Sequence, residues 1–245
     1  MLRRTFLQLG VSALFTPPAL FLQRRQESDT PLVDQVPPML DHLLLGCSDL
    51  KKGMAFVEQH TGVRAAFGGI HPGRGTENAL LSFGPGHYLE IIAPDPQQAG
   101  SGDRRAKALR NLSEPKLVGW AAHLPGGIAN YAAKLKQAGI AAEGPVSGSR
   151  TRPDGKTLQW ETLTLNDDAS GLLPFFIEWA GSSVHPSLDA PSGCQLLRFE
   201  LLTPDPAALS ALATKLSLAA PIIKAAAPQL RATIKGPTGT LSLNS

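Results

Sequence analysis

Cysteine is scarce in this chain: Cys47 and Cys194 are the only two in 245 residues. They are too few and too far apart in sequence to frame a fold, so two buried free thiols are expected. Long apolar runs are missing as well. The run from Leu7 to Leu22 is broken by Pro17-Pro18, short of the roughly 20 uninterrupted apolar residues a spanning helix needs, and no stable membrane span is expected. Charge of one sign is not in excess either. Lys and Arg number 23 against 20 Asp and Glu, and setting aside Arg3 and Arg4 leaves 21 basic residues. That balance gives no nucleic-acid footprint. The sequence has no Gly-x-Ser-x-Gly, no Cys-x-x-Cys, no His-Glu-x-x-His, no phosphate-binding P-loop and no dinucleotide fingerprint, which removes the common nucleophile and nucleotide-fold chemistries.

What is present divides the chain in two. Arg3-Arg4 precede a mildly apolar run, and a charged, proline-rich stretch follows from Gln23 to Pro38. That order resembles a twin-arginine export signal with a flexible linker behind it. Residues 1–38 are therefore expected outside the folded domain and the protein in the periplasm, with an uncleaved N-terminal anchor or a cytoplasmic protein as the alternatives. The remainder, in a chain with 42% hydrophobic and 18% charged residues, is long enough to bury a sizeable core.

Internal repetition organises that remainder. Leu40 to Gly46 reads as a strand, and Leu50 to His60 has helical spacing through Leu50, Met54, Phe56 and Val57, stopped at Gly62. Strands follow near Ala65 to Phe67, at Ala79 to Phe83 and, across Gly84-Pro85-Gly86, at His87 to Ala93. The same order recurs with a strand at Leu117 to Leu124, a helix at Ile128 to Gln137, and strands at Thr157 to Leu165 and Leu173 to Trp179. A third, shorter copy has a strand at Gln195 to Leu202, a helix at Pro206 to Leu216 and a hairpin of Leu230 to Lys235 with Thr240 to Asn244. The expected fold is α+β, with paired βαβββ modules over residues 39–186 and the third module, 187–245, packed on the same domain. Asp95 to Pro115 should join the first two modules over the surface, with a short helix near Arg105 to Leu112.

Two ionisable residues stand inside otherwise apolar strands: His42 in Leu40-Asp41-His42, and Glu90 in Tyr88-Leu89-Glu90. Burying such groups costs several kcal/mol unless they are paired or coordinated, so they mark a site. Between them lies the glycine-rich bridge from Gly68 to Asn78, expected as a tight loop that presents His71, Arg74, Thr76 and Asn78. Arg74 in such a loop suits a bidentate clamp on a carboxylate or phosphate; the plainer expectation is a loop pinned by hydrogen bonds from His71 and Asn78 to backbone.

These motifs, with Arg152-Pro153-Asp154-Gly155 leading to Trp160, and Pro174 to Trp179 followed by His185-Pro186, resemble the glyoxalase-like domain branch of the vicinal oxygen chelate superfamily. The resemblance implies modules that curl into half-barrels, with side chains from the first, fourth, fifth and eighth strands converging on a divalent metal. Carried over residue by residue, it places His42, Glu90 and Glu178 at three ligand positions. The fourth is open. His123 would complete a set suited to Zn, Ni, Mn or Fe, but an ungapped alignment of the modules puts Trp120 opposite His42 and His123 three residues further, on the other face. Either a bulge shifts the register and completes a metal cage, or Trp120 walls the pocket.

The remaining candidates for substrate contact are Tyr88, Arg152, Trp160, Trp179 and His185, although large aromatics on barrel strands are more often core. The resemblance implies a lyase- or isomerase-type enzyme acting on a small oxygenated metabolite, with Glu90 or Glu178 moving a proton and, without metal, at least one of them raised in pKa by burial. The alternative is a protein of the same fold that sequesters a small molecule without turnover. A monomer or a homodimer fits tandem modules equally.

Overall fold

The computed structural model describes residues 36–98, 104–124, 126–152 and 154–245. The expected signal, and all but the last three residues of the expected linker, lie outside these residues.

Strand β1 (Leu40–Gly46) is buried along its whole length, which a strand central to a sheet with both faces covered requires. Asp49 caps helix α1 (Leu50–Thr61) by accepting the Lys52 N–H at 2.9 Å, and Gly62 ends it in the left-handed region at φ 79°. Strands β2 (Ala66–His71), β3 (Thr76–Ser82) and β4 (Tyr88–Pro94) complete the first module. The glycine-rich bridge is a hairpin rather than a loop: His71 pairs with Thr76, and only Pro72 to Gly75 form the turn. A seven-residue helix, α2 (Arg104–Arg110), buries Ala106 and Leu109 on the way to the second module.

That module contains β5 (Lys116–His123), helix α3 (Ile128–Gln137), β6 (Ala142–Thr151), β7 (Thr157–Leu165) and β8 (Phe175–Trp179). The two modules form one eight-stranded sheet in the order β2-β3-β4-β1-β5-β8-β7-β6, joined where β1 and β5 run antiparallel. The sheet curls until its outer strands, β2 and β6, face each other. Glycines permit the approach: a Cβ on Gly69 would stand 2.7 Å from the Thr151 carbonyl oxygen, and one on Gly68 would collide with Asn78 and Arg150. Strand β6 is absent from the sequence expectation because Gly144, Pro145 and its serines carry no strand pattern, a composition tolerated on an edge strand.

The third module is a four-stranded sheet, β10-β9-β11-β12, built from β9 (Gln195–Thr203), helix α4 (Pro206–Lys215), β10 (Ile222–Lys224), β11 (Gln229–Lys235) and β12 (Thr240–Asn244). Short β10 is an addition to the expected order. One continuous core joins the two sheets, with Trp120 on Phe199 at 5.2 Å between ring centroids. Cys47 and Cys194 are both buried and free. Among the described residues no helix is long and apolar enough to cross a membrane.

Candidate functional site

Asp41 and His42 are neighbours on a central strand, where alternation would send one of them into the core. A bulge resolves the conflict. Leu40 pairs with Ala122 and His42 with Ala121, which leaves Asp41 as an extra residue on β1. Both side chains then join one network. His42 Nδ1 lies 2.7 Å from Asp41 Oδ1, Trp179 Nε1 donates to Asp41 Oδ2 at 3.2 Å, and His185 Nε2 lies 3.1 Å from the same oxygen. Burial alone would push Asp41 up, but the hydrogen bonds and charges of His185 and His42 outweigh it and hold this carboxyl well below the usual range. An ionised carboxylate only accepts, so His42 carries its proton on Nδ1 toward Asp41 and presents Nε2 to the cleft. Tyr88 stacks on the His42 ring at 4.6 Å between centroids and Phe175 meets its edge at 5.6 Å, which fixes the imidazole plane.

Glu90 lies beside it, on the adjacent strand β4. Its Oε2 is 3.5 Å from His42 Nε2, and its Oε1 is 3.7 Å from His71 Nε2. Asn78 donates to Oε1 at 2.6 Å and accepts from Arg150 Nη1 at 3.0 Å, which assigns both ends of the amide. Burial would raise Glu90, against the neighbouring His42, His71, Asn78 and Arg150, and the neighbours win. This corrects the expectation of a raised carboxylate: Glu90 is ionised near neutral pH.

His71 is anchored through Nδ1, 2.9 Å from Thr76 Oγ1. Burial, opposed by Glu90 and reinforced by Arg150, Arg105 and Arg74, lowers its pKa from 6.5 to about 4. A histidine held neutral in the fold takes up a proton on unfolding, so it destabilises the native state as pH falls from 6.5 toward 4 and contributes nothing above 6.5. Wild type is therefore expected to lose stability between about pH 7 and pH 5, by up to about 3 kcal/mol over the full window, while His71→Gln loses less. Urea unfolding at the two pH values checks this; equal losses would remove His71 as the cause.

These groups floor a cleft of about 440 Å³. One wall is apolar, with Phe175, Ile177, Trp160 and Trp179 from β7 and β8. The other is basic, with Arg74 from the β2–β3 turn, Arg104 and Arg105 from α2, and Arg150 from β6. The segment expected to run over the surface thus builds part of the cleft. A wider groove of about 830 Å³ runs between Pro37-Pro38 and the second sheet, but His87 is its only titratable lining residue, and His87 Nδ1 is engaged with the Leu40 carbonyl at 2.6 Å.

Of the residues expected from sequence, His42, Glu90, His71, Arg74, Asn78, Tyr88, Trp160 and Trp179 meet in this cleft. Five do not. Glu178 is exposed, and its Oε2 accepts the Ile128 N–H at 2.7 Å, capping α3, whose own N-cap Gly127 has no side chain to do so. Trp120 points into the core and donates to the Leu172 carbonyl at 2.8 Å. Arg152 pairs with Asp189 and Asp154 outside the cleft. His185 reaches Asp41 and Ser187 instead of the cleft. His123 follows two residues after Ala121, level with Ile177, beyond the cleft lining; burial lowers its pKa. The expectation missed Asp41, Arg150 and the two arginines of α2. Asp41 had a signal, a second polar residue next to His42 in an apolar strand; Arg150 had none.

The family model described as the glyoxalase-like domain matches residues 40–217. The chain belongs to this glyoxalase-like domain family. No curated protein matches the chain. Among solved structures, a hypothetical protein from Staphylococcus aureus is 15% identical, with 84% of each chain covered and a TM-score of 0.57. Methylmalonyl-CoA epimerase from Mycobacterium tuberculosis is 20% identical, over 60% of this chain and 91% of that one, with a TM-score of 0.44. The Streptomyces coelicolor methylmalonyl-CoA epimerase in complex with 2-nitronate-propionyl-CoA is 17% identical, over 58% and 97%, with a TM-score of 0.43. The likeness is one of fold.

The metal position that the resemblance implies does not fit the donors of this glyoxalase-like domain. Its first module offers His42 and Glu90, but β5 places Ala121 opposite His42, and β8 lines the cleft with Phe175 and Ile177. Among the described residues no three or more His, Cys, Asp or Glu side chains are placed to hold a metal ion. At that position Zn, Mn, Ni or Fe would find His42 and Glu90 with no donor from the second module, where a stable site needs three or four; His71, beside Glu90, comes from β2 and is anchored to Thr76.

Proposed function

We propose that this glyoxalase-like domain is an isomerase- or lyase-type enzyme that moves a proton at a carbon beside a carbonyl of a small oxygenated metabolite. The observation that carries this reading is the buried, ionised Glu90 with His42 Nε2 at 3.5 Å and His71 Nε2 at 3.7 Å, on the floor of an open cleft. Glu90 takes the proton from carbon, and the electron pair moves onto the carbonyl oxygen. With Nδ1–H held by Asp41, His42 gives that oxygen a proton from Nε2 by starting as the imidazolium, and is left as the neutral ring with its one proton on Nδ1; the reverse transfer restores it. Return of a proton to carbon completes an isomerisation; loss of a group from the neighbouring carbon completes an elimination. A substrate that covers the cleft excludes water from Glu90 and raises its pKa, which strengthens the base at the moment it is needed. No step requires a metal.

The aromatic wall of Trp160 and Trp179 favours a second reading, a protein that binds its ligand without changing it. Exchange of carbon-bound hydrogen separates the two. The full chain, incubated in D2O with enolisable 2-oxo acids, hydroxyketones and chiral 2-substituted acyl compounds, is expected to accelerate deuterium incorporation seen by proton NMR, and EDTA should leave the rate unchanged. Exchange that appears only after Zn, Mn, Ni or Fe(II) is added would overturn the metal-free route; no exchange under any condition would leave sequestration.

A further inference from the structure

We infer that the ligand of this cleft is an anion with a flat or apolar body, its acidic head held at the arginine side and its reacting carbon turned toward Glu90. The inference rests on the cleft being the working site and adds the class of compound it takes.

Charge gives the first argument. Four arginines line the cleft against two glutamates, Glu90 and Glu143. Glu90 is already bound by Asn78 and flanked by two imidazoles. Arg74 and Arg104 come from separate elements, the β2–β3 turn and α2, yet line the same cleft, and neither forms an ion pair among the described residues. A concave surface between low-dielectric walls concentrates such a field far more than a flat one. Guanidinium groups are shaped to grip carboxylate and phosphate oxygens.

Placement gives the second. Arg150 is 3% exposed, and it reaches the cleft from the edge strand β6 because Gly68 and Gly69 leave room for its side chain. A buried guanidinium tied to Asn78 sets the positive potential of the floor without needing a surface partner. Phe175, Ile177, Trp160 and Trp179 on the opposite side carry no charge, and Glu143 lines the cleft from β6, level with Thr164 of β7. Trp160 and Trp179 lie 5.5 Å apart, and Arg105 stands 5.9 Å over the Phe175 ring where the two walls join. A wall of this kind takes a planar or apolar group.

Direction gives the third. Glu90 repels an acidic head, so an anion enters with its head toward the arginines and its far end toward Glu90 and His42. The cleft therefore orients its ligand as well as attracting it.

Isothermal titration of the full chain with three probes tests this: benzoylformate, with a carboxylate head; its methyl ester, with the same ring and ketone but no charge; and phenylphosphonate, with a phosphate-like head. At least one anion is expected to bind about tenfold or more tightly than the ester, with an advantage that shrinks as salt rises. The tighter anion identifies the head as carboxylate or phosphate. Arg74→Gln with Arg104→Gln should weaken the anion about tenfold with the melting temperature unchanged, since both side chains are exposed. Glu90→Gln should bind the anion several-fold more tightly, because a repelling charge is gone. Equal affinity for ester and anions, no loss in the double arginine variant, or no anion binding at millimolar concentration would each overturn the inference. Anion binding without hydrogen exchange would remove the proton-transfer reading alone; exchange of neutral carbonyl compounds without preference for anions would remove this inference alone.

Discussion

Glu90→Gln is expected to lower the rate of carbon–hydrogen exchange by two to four orders of magnitude, the scale of a positioned general base. The fold should survive. A glutamine amide can still accept from Asn78 through its oxygen, so the cost in stability should stay near about 1–2 kcal/mol. The informative control is Glu178→Gln. Glu178 sits on β8 where the resemblance places a ligand, but it caps α3 from the far side of the sheet. That variant should exchange hydrogen at the wild-type rate and lose about 1 kcal/mol or less, the value of a helix cap. Chemical denaturation and exchange measured on the same preparations separate the two effects. If both variants lose exchange equally, or neither does, Glu90 is not the base and the cleft chemistry must be assigned elsewhere.

The Glu178 case shows where the sequence stops speaking. His42 and Glu90 are legible because each interrupts an apolar strand, and only a site explains the cost of burying them. On β8 the run Phe175-Phe176-Ile177-Glu178-Trp179 is bulky on both faces, so alternation does not say which face is the cleft. Pairing decides it: Ala121 stands level with Phe175, and Phe175, Ile177 and Trp179 turn to the site while Phe176 enters the core. Trp120 fails for a related reason, since a bulge at Asp41 shifts the register that an ungapped alignment assumes. The modules themselves were readable from their repeated order. Strand β6 was not, because an edge strand needs little hydrophobic pattern, and the residue it delivers to the site, Arg150, looks like any surface arginine until Gly68 and Gly69 reveal the gap it crosses.

Asp41→Asn is expected to combine the largest loss of stability with a loss of activity, although Asp41 never touches the cleft. Its two oxygens face His42 Nδ1, Trp179 Nε1 and His185 Nε2 at 2.7, 3.2 and 3.1 Å, at 1% exposure. An amide keeps one accepting oxygen and turns the other corner into a donor aimed at a donor, so one buried N–H is left unmatched and the charge that held the imidazoles is gone. About 2–4 kcal/mol should be lost at neutral pH. The sign with pH follows from the direction of the shift. A carboxyl held below its unfolded value of 3.8 stabilises the native state fully above that value, and the contribution fades as pH falls below it. The gap between wild type and variant should thus stay constant from about pH 8 to 5 and narrow in stronger acid. Activity should fall by about ten- to a hundredfold, because His42 is no longer committed to a proton on Nδ1 and Nε2 loses its fixed role. Nitrogen-15 NMR of His42 reads that directly: one tautomer in wild type, a mixture in the variant. An unaltered tautomer together with wild-type stability would reduce Asp41 to a bystander and move the positioning of His42 onto Tyr88 and Phe175.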